Sequence, residues 1–175
     1  GSLGWVFSRE AFMQDSFLDF GKIRVSYGTQ GNDRIADWTF MDVLGPVKTM
    51  PIGDQVTIGY RQTTVGNELL TWESAKKMNL GLDLGFLRNR LTVTADYFKN
   101  TTDNILLRLP IPDVFGGPQY PFQNAVSVEN PGWELELGWR DQINDFQYNV
   151  NFNLADVQNK VTSLGGSEPT VGDRV

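Results

Sequence analysis

The stretch Asn79–Phe98, NLGLDLGFLRNRLTVTADYF, constrains the fold more than any other part of the chain. Leu80, Leu82, Leu84 and Phe86 alternate with Gly81, Asp83 and Gly85. After a short break, Leu91, Val93, Ala95 and Tyr97 alternate with Thr92, Thr94 and Asp96. Successive side chains of a strand point to opposite faces, so this period-two pattern marks strands with one apolar and one polar side. A tight turn at Arg88-Asn89, or a four-residue loop over Leu87–Arg90, sets Phe86 opposite Leu91, Leu84 opposite Val93 and Leu82 opposite Ala95. Either closure puts every apolar residue of the hairpin on one face, as register requires when that face is withdrawn from water.

The pattern recurs. Leu3, Trp5 and Phe7 alternate with Gly4, Val6 and Ser8, and Ile23, Val25 and Tyr27 with Lys22, Arg24 and Ser26. Trp133, Leu135, Leu137 and Trp139 alternate with Glu134, Glu136, Gly138 and Arg140. Phe146, Tyr148, Val150, Phe152 and Leu154 alternate with Gln147, Asn149, Asn151 and Asn153. These last two runs read as a second hairpin turning over Asp141–Asn144, with Trp139 facing Phe146 and Leu137 facing Tyr148. The expectation is an all-β chain of six strands. Arg9–Phe17 (REAFMQDSF) is short and uncapped and has room only for a helical turn.

The connections alternate in length. They are short after the first strand (Arg9 to Phe20), the third (Arg88-Asn89) and the fifth (Asp141 to Asn144). They are long after the second (Gln30 to Thr71) and the fourth (Arg108 to Gln123). One end of such a sheet is trimmed and the other decorated. Outer-membrane barrels show that asymmetry, with short periplasmic turns and longer external loops. Leu44 is then expected outside the cell and Asn89 on the periplasmic side.

Composition removes whole classes of function. A net charge of −6 over 175 residues argues against a nucleic-acid partner, which calls for basic patches. The chain has neither cysteine nor histidine, which excludes disulfide scaffolds, thiol nucleophiles and histidine-dependent triads. No run of ~18 apolar residues forms a transmembrane helix, and the start GSLGWVF lacks the basic region of a signal peptide. No cofactor is expected: Gly116-Gly117-Pro118 is a turn signal, since no Gly-Lys-Ser/Thr follows it.

Two architectures fit the alternation. In a soluble β-sandwich, such as a carbohydrate-binding module, the apolar face is the core; in a membrane barrel it meets lipid and the polar face lines the lumen. Phe146–Leu154 is close to the ~9–11 residues of a tilted membrane strand. Trp5 and Trp139 fall on the apolar face near the short turns, where an interfacial aromatic girdle belongs.

The choice is made by GKIRVSYGTQGN (Gly21 to Asn32), LTWESAKKMNLGLDLGFLRNRLTVTADYFKNTTDNILL (Leu70 to Leu107) and NAVSVENPGWELELGWR (Asn124 to Arg140). In combination these segments resemble the SusC/RagA family of TonB-dependent outer-membrane transporters of Bacteroidetes. Pro131 and Trp133 depart from the residues common there. The resemblance implies an antiparallel up-and-down transmembrane β-barrel of about 22 strands with a plugged lumen, of which residues 1–175 are a partial barrel domain. It also implies that the plug and the TonB-contacting segment are not within the chain, and that the chain stops inside an external loop. Asp83, Thr94 and Asp96 are then expected to face a wet lumen. The implied activity is active import of a large nutrient, oligosaccharide or peptide, across the bacterial outer membrane. The implied partners are a SusD-like surface lipoprotein, the TonB energy-transducing complex and the lipid bilayer.

Candidate sites follow from residue chemistry. Trp38, Phe40, Tyr60 and Trp72 in the first long loop, with Phe115, Tyr120 and Phe122 in the second, could stack on sugar rings or build small loop cores. Trp38, Phe40, Tyr60 and Tyr120 are the substrate-binding candidates. Glu134 and Glu136 lie about 7 Å apart along one strand face, a separation seen in glycosidases, but no apolar pocket is in place to make either a general acid. No catalytic residue is assigned. Asp33, Asp37, Asp42 and Asp54 lack the close spacing of a calcium loop, so no metal is expected.

Overall fold

The computed structural model describes residues 1–13, 16–35, 37–52, 55–109 and 119–165, and only the backbone of residues 47–52, 55 and 56. The described residues form nine strands: β1 (Ser2–Trp5), β2 (Leu18–Asn32), β3 (Val43–Ile52), β4 (Gln55–Thr64), β5 (Glu73–Phe86), β6 (Leu91–Arg108), β7 (Phe122–Ile143), β8 (Phe146–Val157) and β9 (Lys160–Leu164). Two single 3-10 turns, Phe7–Arg9 and Ala11–Met13, fill the connection between β1 and β2. The main sheet runs β1-β2-β5-β6-β7-β8, with β9 also on β7, and β3 and β4 form a separate two-stranded sheet whose end at Thr64 bridges to Gln119.

All six strands expected from alternation are present, and several run well past the alternating core. The expectation of six strands is nevertheless too low. The first long loop contains the β3–β4 hairpin, and β9 follows β8. The second hairpin also needs a correction. Its turn is Asn144-Asp145, closed by Ile143 opposite Phe146, so Trp139 pairs with Val150 and Leu137 with Phe152. The expected pairs, Trp139 with Phe146 and Leu137 with Tyr148, were four residues out of register. An even displacement preserves which side each residue faces, so the faces were right although the partners were not. Asn144 adopts φ 53°, a left-handed conformation that asparagine tolerates.

The first hairpin closes through the four-residue loop Leu87–Arg90. Leu87, Arg88 and Asn89 have φ of 56°, 61° and 58°, where a left-handed L-residue costs about 1–2 kcal/mol. One carboxylate oxygen of Asp19, on β2, accepts both the Arg88 and the Asn89 amides, the latter at 3.2 Å. That cap offsets part of the strain.

The chain divides into two compact units: Gly1–Gln30 with Ala75–Thr102 and Val128–Lys160, and Gly31–Ser74 with Asp103–Ser127 and Val161–Val175. In the first unit the alternation becomes a belt. Ile23, Val25, Leu80, Leu82, Leu84, Val93, Leu135, Leu137, Val150, Phe152 and Leu154 share its apolar face. Tyr27, Tyr97 and Trp133 stand at one margin, and Trp5, Phe86, Trp139 and Tyr148 at the other. Trp5 has its ring 6.0 Å from Phe7 and 6.3 Å from Phe12, and Phe86 stacks on Phe17 at 5.9 Å. Charges follow the aromatics: the Lys99–Glu129 pair (2.9 Å) at the first margin, Asp19 and the Arg90–Asp141 pair (3.3 Å) at the second. An apolar band between aromatic girdles is the outer surface of a membrane barrel.

The belt is not a core. Among the described residues the only buried hydrophobic side chains are Ala125 and Val126, at 9% and 8% exposure, while Phe146, Val150 and Phe152 are 68%, 59% and 55% exposed. A water-soluble sandwich would hide these side chains between its sheets.

Strand β8 ends opposite Pro131. Gln158 donates its amide to the Pro131 carbonyl (3.0 Å), but proline has no N–H to return. The ladder loses one rung there, which separates β8 from β9. Asn159 nevertheless donates to Asn130 Oδ1 at 2.7 Å, which keeps the chain beside β7 across the gap.

Candidate functional site

The polar face of the first unit carries a charge cluster. Arg24 on β2 donates to both oxygens of Asp83 on β5, at 2.8 and 3.0 Å, and through Nη2 to Asp96 on β6, at 3.0 Å. A bidentate guanidinium–carboxylate fork is stronger and more directional than a point-charge contact. Gly81 makes the cluster possible, since a Cβ there would strike both the guanidinium and Asp96. The cluster therefore ties three adjacent strands together on the side opposite the belt. Asp83 and Asp96 are engaged with Arg24 as well as set on the polar face expected to line the lumen.

Glu134 and Glu136 lie on the same face, opposite Ala155 and Asn153 of β8, and both are exposed. Neither has the enclosed apolar surroundings that would keep a carboxylic acid protonated for acid catalysis. A polar hollow of about 490 Å³, lined by Arg90, Thr92, Glu136, Arg140, Asn149 and Asn151 among others, lies on the same strands.

In the second unit the loop aromatics converge. Trp38 and Phe40 place their ring centroids 6.4 Å apart. They line a hollow of about 650 Å³ with Ile35, Asp37, Thr39, Glu68 and Leu70. A smaller hollow of about 190 Å³ shares Asp37, Trp38 and Thr39 and adds Tyr120, Phe122 and Arg108. Arg108 is already committed: its guanidinium lies over the Phe122 ring, 4.6 Å from the centroid, and donates to Gln119 at 3.3 Å. Trp38 has φ 64°, unusual for a bulky residue and often associated with sites where function constrains the backbone.

Side-chain-to-backbone bonds hold these loops in place. Asn67 accepts the Leu69 amide at 3.0 Å and donates to the Phe122 carbonyl at 2.8 Å, which fixes the turn that carries Glu68. Asn124 accepts the Thr71 amide (2.8 Å) and donates to the Thr71 and Asn104 carbonyls (2.7 and 2.8 Å). One backbone bond adds to these: the Gln119 backbone N–H donates to the Thr63 carbonyl at 2.7 Å, so Tyr120 is held beside the end of β4. Gly66 packs directly on the Phe40 and Met41 backbone, where any Cβ would collide.

Of the four substrate-binding candidates, Trp38 and Phe40 line the larger hollow, and Trp38 and Tyr120 the smaller. Tyr60 stands apart: it lies on β4 opposite Pro46, 72% exposed, and lines neither. Trp72 packs toward Gly31. Phe115, Asp54 and Gly116-Gly117-Pro118 lie outside the described residues. Asp42 accepts from Gln62 and Gly66, both at 2.9 Å, and among the described residues no three carboxylates gather as a metal site. Glu68, Arg108, Asn67 and Asn124 were not singled out by sequence reading. Their roles depend on which loops meet, and no local pattern encodes that.

Comparison with known proteins accounts for this architecture. Residues 2–175 match the family model described as TonB dependent receptor-like, beta-barrel. TonB-dependent receptor P3 of Formosa agariphila is 32% identical over 166 residues, which cover 94% of this chain and 16% of that protein. TonB-dependent receptor SusC of Bacteroides thetaiotaomicron is 29% identical over 185 residues, 99% of this chain and 18% of that protein. A solved structure of the RagAB peptide importer in its open-open state superposes with a TM-score of 0.79 at 25% identity, covering 98% of this chain and 19% of the solved one. The chain thus spans less than a fifth of the length of these relatives. The chain belongs to the TonB-dependent receptor-like β-barrel family as a SusC/RagA-like segment of an outer-membrane barrel wall.

Proposed function

We propose that the protein containing this segment imports a large nutrient, an oligosaccharide or a peptide, across the outer membrane. The family is one of transporters and receptors, not enzymes. The observation that carries the reading is the inverted burial: the large apolar side chains of the first unit form a belt that is exposed or half-buried, and Ala125 and Val126 are the only hydrophobic ones buried among the described residues. Lipid is the solvent that makes such a surface stable. The alternative, a soluble carbohydrate-binding sandwich, has no core here from which to draw its stability. A SusD-like surface lipoprotein covers the external mouth in this proposal, by analogy with the two-component RagAB importer. The TonB complex supplies energy through a plug carried elsewhere in the protein. Leu44 then lies outside the cell and Asn89 in the periplasm.

Uptake by intact cells tests the proposal. Deleting the gene should abolish uptake of a fluorescent oligosaccharide or peptide pool, and so should inactivating TonB. Single-cysteine variants give the orientation, because the chain has no cysteine of its own. A membrane-impermeant thiol reagent should label Leu44→Cys and spare Asn89→Cys. Uptake that survives both deletions, or the reverse labelling, defeats the reading.

A further inference from the structure

We propose that the larger hollow of the second unit is a subsite for an organic cation: an ammonium or guanidinium group carried by the imported nutrient. This rests on the import reading and adds to it the charge of the group recognised.

Four described carboxylates of this unit, Asp42, Glu73, Asp37 and Glu68, contrast in their surroundings. Asp42 is spent on Gln62 and Gly66, and Glu73 on Asn32 (2.8 Å) and the Leu106 amide (3.0 Å). These hold loops and strands together. Asp37 and Glu68 make no hydrogen bond or ion pair with any described residue, yet both line the same hollow. Among the described residues no lysine or arginine lines it with them. The one cation of the neighbouring hollow, Arg108, is engaged by Phe122 and Gln119.

The other walls are the rings of Trp38 and Phe40. Aromatic faces are electronegative, and a cation within ~6 Å of a ring centroid is attracted to them. Two carboxylates and two aromatic rings, all four exposed, line one hollow, a combination suited to a positive group. A hard metal ion fits poorly. Calcium takes about six to eight oxygen ligands, whereas two carboxylates and two rings line this space, with Thr39 contributing a single hydroxyl. An ammonium or guanidinium uses both features at once, charge against Asp37 and Glu68 and ring contact with Trp38 and Phe40. Two kinds of nutrient carry such a group: peptides with lysine, arginine or a free amino terminus, and amino sugars.

The test measures binding to the purified full-length transporter in detergent. The probes are tetralysine, its fully acetylated form, a glucosamine tetramer and the N-acetylglucosamine tetramer. At least one amine probe should bind about tenfold more tightly than its acetylated counterpart, and the preference should shrink as salt rises. Tetralysine alone identifies a peptide source, the glucosamine tetramer alone an amino sugar. Glu68→Gln and Trp38→Ala should each weaken the amine probe by about two- to fivefold, with the thermal transition of the barrel unchanged as the check on folding. Equal binding of amine and acetylated probes, binding of neither pair, or an indifferent Glu68→Gln overturns the subsite. Each of those results leaves the import reading to be judged separately by uptake in the deletion strains.

Discussion

The two compact units use the same backbone to opposite ends. In the first, a long sheet presents one uniformly apolar side and one polar side, and no polar group sits on the apolar surface between its aromatic margins. In the second, the loops turn on single side chains, Asn67, Asn124 and Asp42, each of which completes a backbone bond that no ladder supplies. The contrast teaches where specificity resides. The belt repeats a rule, so any strand obeying the rule would serve. The loop unit depends on particular residues, and a substitution there changes a local shape and leaves the wall intact.

The most severe way to break the contrast is to put a charge in the belt. Leu137 pairs with Phe152, six residues before the end of β7 at Ile143, and so lies well inside the apolar band. Leu137→Arg should lower the stability of the full-length barrel in bilayers by about 2–4 kcal/mol, the cost of a cation facing lipid near mid-membrane. Its neighbour Glu136 faces the other way, and Glu136→Arg should leave folding nearly unchanged. Urea titration of the protein refolded in vesicles measures both. Leu137→Trp sharpens the result, because lipid accepts the larger ring while a packed protein core loses roughly 1–3 kcal/mol to overpacking. A Trp variant as damaged as the Arg variant would mean that protein covers this face.

The next effect is confined to the loop unit. Asn124→Ala removes three hydrogen bonds, two to Thr71 in the β4–β5 connection and one to Asn104 in β6. It should destabilise that unit by about 1–3 kcal/mol. Hydrogen exchange at the Thr71 amide should accelerate while the strands of the belt keep their protection. Equal acceleration in both units would show that they do not open independently.

The smallest effect is in the turn between β5 and β6. Arg88→Gly removes a left-handed L-residue at φ 61° but keeps the backbone amide that Asp19 accepts. Relief of about 1–2 kcal/mol is offset by the ~0.5–1 kcal/mol that glycine loses in conformational freedom. A net gain below about 1 kcal/mol should follow, read as a slightly higher urea midpoint. A loss of stability would mean that the Arg88 side chain matters there more than its backbone.

Legibility in the sequence follows the same division. Leu80 to Phe86 and Leu91 to Tyr97 announced both their strand and their side, because lipid on one face and polar groups on the other impose strict parity. Parity does not fix offset. Trp139 opposite Phe146 and Trp139 opposite Val150 satisfy it equally, and only the turn chemistry at Asn144-Asp145 distinguishes them. The β3–β4 hairpin was hidden for another reason. It carries Pro46, Pro51 and Gly45, which read as strand breakers. Trp38, Phe40 and Tyr120 were recognisable as exposed loop aromatics, but which of them share a hollow depends on bonds between residues far apart in sequence. Tyr60 has the same chemistry and a different location.

The cap on the Leu87–Asn89 turn has a consequence in time. Asp19 and Arg88 stand 69 residues apart, so the carboxylate reaches the turn amides only after β2 has docked beside β5. Docking must close the long connection between those strands, and non-local closures come late and slowly in folding. A newly made β5–β6 hairpin therefore waits with three left-handed residues uncapped, and its turn settles when the preceding part of the wall arrives. The order of assembly is written into that corner: neighbours first find their side of the membrane, and the sharpest bend in the hairpin is secured by a strand synthesised long before it.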